Sequence, residues 1–438
     1  MIIKKKLNKI FDKLFPICRS ITGPGYRRSL NILSKYISLK KLYYPSGKKI
    51  FDWVVPKEWI IKDAYIKKIT KNRQWEKIVD FKKNNLHVLN YSAPVNKVMN
   101  LNELNQHLYS LNKYPKVIPY VTSYYKKNFG FCIQHSQRKK LKDSTYKVVI
   151  KSKFIDGSIV NGLAELKGRT KKIILITSYL CHPSMANNEL SGPLVLLGLY
   201  EKIKKWKNRQ YNYHFLINPE TIGSICHLYT YKSVLKKNLD SGLVLTCLGG
   251  NKNKLSYKKS RFGNSGLDKL FINLNANKKV FLREFDPTSG SDERQYCSSE
   301  FNLPVGQIAR TTYGQYYQYH TSADNKKFMK ISQLVKSIDE IEKILKCYDD
   351  LIPLKRFMPY CEIQLGKRDL YPNINSHENR YKSSDYLNDR RDQLKIMQYI
   401  LSYADGKNNI IDISNVSGFD IFKIRKVLNI CIEQKLIK

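Results

Sequence analysis

The sequence predicts an α/β fold, in which a mixed sheet is flanked by helices. Three short apolar runs, each ended by polar, Gly or Pro residues, are typical of buried parallel strands. Two longer segments with helical periodicity lie between these runs, so strand and helix alternate along the chain. The apolar runs span 171–183, 211–220 and 241–250, and the helical segments span 193–208 and 221–238.

Four short polar clusters stand out, and three of them follow an apolar, strand-like run. They read CHPSMANNELSG, NPETIGS, GSDERQY and YHTSADN, and they begin at positions 181, 218, 290 and 319. In open α/β sheets the functional site lies beyond the carboxyl ends of the strands. His182 and Glu220 both fall at that edge, so we expect them to lie close together.

The residue types of these clusters suit a catalytic zinc site. Imidazole nitrogen and carboxylate oxygen bind Zn²⁺, and three protein ligands leave the fourth position open for water. His182, Asp292 and His320 supply such a set of ligands. A separate carboxylate must accept the proton of the attacking water, and Glu220 is the candidate general base. The sequence therefore predicts a hydrolase with zinc as its cofactor.

These clusters, in this order, resemble the co-catalytic zinc aminopeptidases, and more closely an aminopeptidase-like bacterial branch linked with surface-polysaccharide clusters. The resemblance extends to LFPICRSITGPG, DWVVPKEWIIKDAYI and CEIQLGKRDLYP, which begin at positions 14, 52 and 361. It implies a zinc-aminopeptidase-like mixed sheet, an inserted small domain and a C-terminal winged-helix-like domain. It also implies hydrolysis of an amide bond, either at a peptide amino terminus or in an N-acyl amino sugar.

Two positions depart from the two-metal pattern of the aminopeptidases. Asn188, followed by Glu189, stands where the resemblance implies a bridging aspartate, and Thr221 stands where it implies a second consecutive glutamate. Because the bridging anion is missing, we predict one zinc ion instead of two. Three arrangements stay open: one zinc on the predicted ligands, Glu189 as a substitute for the missing anion, or no metal in a degenerate binding protein.

Further side chains near the clusters are candidates for the metal shell or for substrate contact. Asp324 follows His320 by four residues and could orient a ligand histidine. Arg19 and Arg294 could bind a substrate carboxylate, with solvation at the surface as the alternative. Phenol groups could donate to a developing oxyanion or pack in the interior. The phenols in question are Tyr313, Tyr316, Tyr317 and Tyr319.

Each predicted site residue also has a structural alternative. Asp292 could cap a helix that begins in GSDERQY. Glu220 could be an acid in the first turn of the following helix, where the helix dipole favours it. A histidine at a strand end is often only hydrogen-bonded, which is the interpretation for the histidines outside the clusters. These are His87, His107, His135, His214, His227 and His377.

Composition limits the classes of partner. The net charge of +42 would attract nucleic acid or an acidic polymer. The lysines are spread along the chain beside Ile, Asn and Tyr, which favours a compositional origin over a nucleic-acid partner. No run approaches the roughly 20 apolar residues of a membrane span, so we predict a cytoplasmic protein, compatible with a homo-oligomer. Nine cysteines without a CxxC pair argue against a disulfide framework, and Cys181 is assigned to strand packing.

We predict four segments along the chain. Residues 1–38 and 131–350 form the hydrolase domain, 39–130 form the inserted domain, 351–385 form a linker and 386–438 form the winged-helix-like domain. The tail shows three helices, with apolar spacings of three and four residues. Its basic last helix could contact DNA, but packing or dimerisation is the preferred interpretation because the tail lacks a basic wing.

Overall fold

The computed structural model describes residues 2–371 and 384–438. The chain divides into two compact units. The first is Met1–Ser265 with Arg283–Glu342, and the second is Gly266–Leu282 with Lys343–Lys438. The predicted linker therefore falls in the second unit, and its residues 372–383 lie outside the described residues.

The described residues form short and long strands that belong to several sheets. The strands are β1 (Lys40–Pro45), β2 (Lys49–Ile50), β3 (Trp53–Val54), β4 (Glu58–Ile69), β5 (Trp75–Asp80), β6 (Val95–Met99), β7 (Leu108–Tyr109), β8 (Phe131–Cys132), β9 (Tyr146–Ile155), β10 (Ser158–Leu166), β11 (Ile173–Tyr179), β12 (Asn212–Asn218), β13 (Leu239–Leu245), β14 (Ser256–Lys258), β15 (Phe281–Arg283) and β16 (Val305–Ala309).

Helices connect most of these strands, and three more form the C-terminal part of the chain. The α-helices are α1 (Ile2–Leu14), α2 (Pro24–Ser34), α3 (Leu101–Asn105), α4 (His135–Arg138), α5 (Ser191–Lys204), α6 (Ile222–Asn238), α7 (Gly266–Ala276), α8 (Glu293–Tyr296), α9 (Ile331–Asp349), α10 (Ser384–Tyr403), α11 (Ile410–Ser417) and α12 (Ile421–Glu433).

The largest sheet is mixed and has the strand order β1-β10-β12-β11-β13-β16-β14-β15. Its central strands β12, β11, β13 and β16 are parallel, while β1, β10 and β14 pair antiparallel with their neighbours. The predicted strands and the helices between them correspond to β11, β12, β13, α5 and α6. The predicted α/β fold class is confirmed.

Close packing of α5 on the sheet explains why β11 is buried along its whole length. A side chain at Gly192 would approach the Ser178 hydroxyl to 2.1 Å and the Leu245 carbonyl oxygen to 2.4 Å. Glycine therefore lets the first turn of α5 lie against the strands. Most of the helix is then buried. Burial of a large apolar side chain such as Leu194 or Val195 stabilises the fold by about 1.5–3 kcal/mol relative to exposure.

A second, antiparallel sheet has the strand order β5-β4-β9-β6. Its apolar core includes Trp59, Ile66, Phe131 and Tyr146. Strands from both sides of the predicted boundary at residue 130 therefore form one sheet, because β4 and β9 pair along most of their length. In contrast, β1 from the predicted insert joins the large sheet through β10.

The C-terminal helices α10, α11 and α12 match the three predicted helices. Asn409 and Asp412 form a capping box at the start of α11, and Gly418, with φ of 73°, ends that helix. Lys423 pairs with Asp392 at 3.3 Å, so this basic group of α12 is already compensated within its unit. The described part of the chain contains no helix long and apolar enough to cross a membrane, and the cytoplasmic location stays a prediction.

Candidate functional site

The first unit contains a cleft of about 270 Å³ at the carboxyl edge of β11 and β12. The two strands are parallel neighbours, so the residues that follow them meet at this edge. Cys181 and His182 follow β11, Glu220 follows β12, and all three line the cleft. The sequence prediction that His182 and Glu220 lie together is confirmed by their separation of 3.6 Å.

His182 is held between two carboxylates. Its Nδ1 lies 2.7 Å from an oxygen of Glu189, and its backbone N–H donates to the other Glu189 oxygen at 2.9 Å. Its Nε2 faces Glu220. Burial lowers the pKa of His182, while the Cys181 sulfur and Glu189 raise it, and the net pKa is well above 6.5. A carboxylate on one ring nitrogen fixes the orientation of the other, as is common for metal-binding histidines.

Glu220 is the carboxylate that solvent can reach, with 27 % of its side chain exposed. Its backbone N–H donates to the sulfur of Cys181 at 3.4 Å. Burial raises its pKa to about 7, although the nearby His182 opposes this effect. A carboxyl group with such a pKa can both accept and return a proton near neutral pH.

His320 lies beside His182, with 5.3 Å between the ring centroids. Tyr319 stacks on the His320 ring at 3.9 Å, and the Tyr120 backbone N–H donates to the His320 carbonyl at 2.7 Å. Burial lowers the pKa of His320 to about 3, and the neighbouring His182 adds to this effect. The His320 ring is therefore neutral at physiological pH, which is the form that binds metals.

Asp292 is buried, and both of its carboxylate oxygens accept hydrogen bonds. One oxygen accepts from the backbone N–H of Thr221 at 2.6 Å and the hydroxyl of Ser224 at 3.2 Å. The other accepts from the side-chain amide of Asn218 at 2.8 Å. Burial raises the pKa of Asp292 to about 6 in spite of these bonds. Its side chain makes no capping bond to α8, so the helix cap considered for Asp292 is not formed.

Asn188 and Asp324 are buried, and Asp324 contacts the loop that follows His182 and carries Asn188. The Asn188 side-chain oxygen accepts a bond from Tyr179 at 3.4 Å, and its amide nitrogen has no hydrogen-bond partner among the described residues. Asp324 accepts from the backbone N–H groups of Asn187 at 2.7 Å and Asn188 at 2.9 Å. Burial raises the pKa of Asp324 to about 7. Asp324 therefore fixes the loop that carries Asn188 and Glu189, instead of a histidine ring.

Two family descriptions match this chain. The first, a domain of unknown function named DUF4910, matches residues 8–350, and the second, a winged helix-turn-helix, matches residues 353–438. The chain belongs to the DUF4910 family. A relative from Clostridium acetobutylicum, described as a polysaccharide biosynthesis protein with aminopeptidase-like domain, is 40% identical over 437 residues, which cover 99% of this chain and 96% of the relative.

Solved structures place this DUF4910 chain among proteins of aminopeptidase-like fold. The crystal structure of a protein named as a peptidase, from C. acetobutylicum, matches with a TM-score of 0.87 and 37% identity over 99% of this chain and 96% of that one. A zinc aminopeptidase from Bacillus subtilis matches with a TM-score of 0.57 and 11% identity over 78% of this chain and 93% of that one. The resemblance predicted from the four clusters is confirmed, as is the C-terminal winged helix.

A zinc ion in this DUF4910 chain would need ligand atoms that lie close together at the cleft. Both Asp292 oxygens accept hydrogen bonds, which leaves further lone pairs on each, and its role as a ligand stays a prediction. Among the described residues, three possible ligand atoms lie within 4.8 Å of one another. They belong to Cys181, His182 and Glu220. The His320 ring lies beside this set, which offers imidazole and carboxylate donors of the kind that bind one Zn²⁺, and binding would require His182 to lose the proton that Glu189 and Cys181 favour. Asn188 and Thr221 bring no charge for a second ion.

The other predicted contact residues lie in different places. Tyr317 is half exposed and packs on Tyr114, with 5.5 Å between the ring centroids. Arg294 does not line the cleft. Arg19 is buried and donates to the carbonyl of His182 at 3.0 Å, so it neither meets solvent nor faces a substrate. Tyr313 donates to Gln307 at 3.2 Å, and Tyr316 stacks on Phe328.

Sequence reasoning missed the aromatic wall of the cleft. Trp53, Tyr124 and Tyr125 line it, and all three come from the predicted insert. The rings of Trp53 and Tyr125 meet edge to face at 5.4 Å. Trp53 lies in the segment DWVVPKEWIIKDAYI, but the resemblance assigned it no role, and Tyr124 and Tyr125 carry no motif because aromatic residues are frequent throughout the chain. Cys181 was assigned to packing, but its sulfur lies 3.4 Å from Nδ1 of His182 and forms part of the cleft.

The loop before Asp292 depends on Gly290, and we expect Gly290→Ala to be strongly destabilising. Gly290 has φ of 140°, and a Cβ there would lie 2.0 Å from a Glu293 oxygen and 2.6 Å from Nζ of Lys258. Lys258 and Glu293 form a buried ion pair at 2.8 Å. Backbone strain and disruption of this pair should together lower the free energy of unfolding by about 3 kcal/mol or more, measured by urea denaturation.

The matched control is Gly314→Ala. Gly314 also has positive φ, at 80°, but a Cβ there meets no atom of the described residues within 4 Å. We expect this control to lose only about 1 kcal/mol from backbone strain. Equal losses in the two variants would show that the buried pair does not depend on the space at Gly290.

Proposed function

We propose that this chain is a zinc-dependent hydrolase of an amide bond, with one zinc ion and Glu220 as the general base. The observation that carries the proposal is the placement of the Glu220 carboxylate 3.6 Å from Nε2 of His182 in an accessible cleft. The aminopeptidase-like fold supports the same reaction class, although a fold alone does not fix an activity.

The side chains that would hold the zinc are His182, His320 and the sulfur of Cys181, with the Glu220 carboxylate next to them. A bound zinc would polarise the amide carbonyl and acidify the attacking water. Glu189 keeps the Nε2 side of the His182 ring turned towards the cleft. The Glu220 carboxylate would accept the proton of the attacking water and return it to the leaving amine. Stacking of Tyr319 holds the His320 ring in place.

The cleft suggests the class of substrate. Trp53, Tyr124 and Tyr125 present aromatic surface within reach of Glu220. Aromatic walls with few convergent polar groups are typical of sites for small ligands. We propose that the substrate is a peptide amino terminus or an N-acyl amino sugar, and the description of the C. acetobutylicum relative favours the amino sugar.

A second candidate function is ligand binding without turnover. It is favoured by one observation, the engagement of both Asp292 oxygens, together with the neutral side chains of Asn188 and Thr221. A chain with these changes could keep the cleft while losing the cation. Nucleic-acid binding through α12 stays the less favoured prediction, and the surface pair of Lys423 with Asp392 compensates one of the basic groups of that helix.

The test combines metal analysis with a substrate panel. Purified protein should contain about one zinc per chain, and zinc-loaded protein should hydrolyse either aminoacyl amides or N-acyl amino-sugar amides. Trp53→Ala should raise KM for the substrate, because the lost ring faces the cleft. Tyr360→Ala, at an exposed residue of the other unit, is the control. Saturable binding without zinc or turnover would replace the hydrolase with the binding function.

A further inference from the structure

The backbone next to Glu220 is strained. Thr221 has φ of 64° and ψ of −74°, a conformation that β-branched residues rarely adopt. The N–H of Ile222 donates to the carbonyl of Glu220 at 2.8 Å, so residues 220–222 form a tight γ-turn. Such strain persists only where the surroundings impose it, and it concentrates at functional sites.

Asp292 contacts the chain on both sides of this turn. It accepts the N–H of Thr221 in the turn itself, the hydroxyl of Ser224 in the first turn of α6, and the amide of Asn218 at the end of β12. The Thr221 contact, at 2.6 Å, is the shortest of the three. Three donors around one carboxylate therefore hold the strand end, the turn and the helix start in one arrangement.

Asp292 is itself anchored. Its neighbour Glu293 is buried, pairs with Lys258 and accepts the backbone N–H of Ser291 at 3.1 Å. Glu293 also accepts a bond from the side chain of Gln307 in β16 at 3.0 Å. Because Glu293 is bonded to the sheet, the adjacent Asp292 carboxylate is held in one position and can restrict the movement of the turn.

We propose that Asp292 is a positioning residue, which holds the strained turn at Thr221 so that the Glu220 carboxylate faces Nε2 of His182. Without these bonds the turn would relax to a conformation that suits threonine, and the rotation of its peptide groups would move Glu220. The catalytic consequence rests on the proposed function. The structural claim does not, because it concerns the conformation of the turn.

A thermal cycle tests the structural claim without any substrate. Thr221→Gly should raise the unfolding temperature by roughly 2 °C or more, because glycine adopts positive φ without strain. In Asp292→Ala protein, which lacks the oxygens that accept these three bonds, the turn can relax, and Thr221→Gly should give little or no rise. Asn208→Gly is the matched control, at an exposed residue with φ of 60°, and its effect should be the same in both backgrounds.

Equal rises from Thr221→Gly in the two backgrounds, or no rise in either, would overturn the proposal. The catalytic consequence is measured separately. Asp292→Ala should lower kcat about tenfold or more with KM and zinc content unchanged, because only the orientation of the Glu220 carboxylate is lost. Loss of zinc in this variant would instead make Asp292 a metal ligand. If the unaltered protein shows no turnover, the proposed function fails while the thermal cycle still decides the role of Asp292.

Discussion

Glu220→Gln is expected to lower turnover by about 10²- to 10⁴-fold while the zinc content stays at that of the unaltered protein. Glutamine keeps the shape of the side chain in the cleft but cannot accept a proton from the attacking water. The imidazole groups of His182 and His320 are untouched, so the zinc should stay bound. Turnover of the best amide from the substrate panel and elemental analysis of the same preparation measure the two effects.

Glu300→Gln is the control, since Glu300 is an exposed carboxylate of the same unit that pairs with Lys236 at 2.7 Å. It should change neither turnover nor zinc content. A loss of zinc in Glu220→Gln would show that Glu220 is itself a ligand of the metal. Full turnover in that variant would exclude Glu220 as the general base.

His182→Ala and His320→Ala are each expected to abolish stoichiometric zinc binding. Loss of a residue that only supports a ligand costs about 10- to 100-fold in metal affinity, and loss of the ligand itself should cost more. Asp292→Asn is expected to retain the zinc, because hydrogen bonds to Asn218, Thr221 and Ser224 already engage that carboxylate. Titration of the metal-free variants with zinc in a calorimeter measures these affinities.

His135→Ala is the control for these variants. His135 lies on α4 and contacts the hydroxyl of Ser110, away from the cleft residues. Its zinc affinity should equal that of the unaltered protein. If His320→Ala keeps full zinc affinity while Asp292→Asn loses it, Asp292 is a zinc ligand, as first predicted from the sequence, and His320 is not.

The fold could be predicted because burial leaves a simple pattern in a sequence. The strands β11, β12 and β13 are covered on both faces, so their sequences are continuous apolar runs. The ends of these runs also indicated where His182 and Glu220 would lie. The extent of the second sheet was harder to predict from the sequence, because β4 and β9 pair although about 80 residues of chain separate them.

The hydrogen-bond partners of Asp292 could not be predicted, because a sequence does not show which groups a carboxylate contacts. The same residue type serves as a metal ligand, a helix cap or a hydrogen-bond acceptor for a strained turn. Only the fold brings Asn218, Thr221 and Ser224 around Asp292. Glu189 is a similar case, since its contact with His182 depends on the path of the loop after β11.

The α/β class and the proximity of His182 to Glu220 could be predicted from local pattern and from the edge at which parallel strands end, whereas the aminopeptidase-like family followed from the resemblance of the four clusters. The tertiary structure alone decided which carboxylates are free, which are engaged in hydrogen bonds, and that Trp53, Tyr124 and Tyr125 form the wall of the cleft. These features depend on contacts between residues distant in the chain, and no periodicity or spacing encodes them.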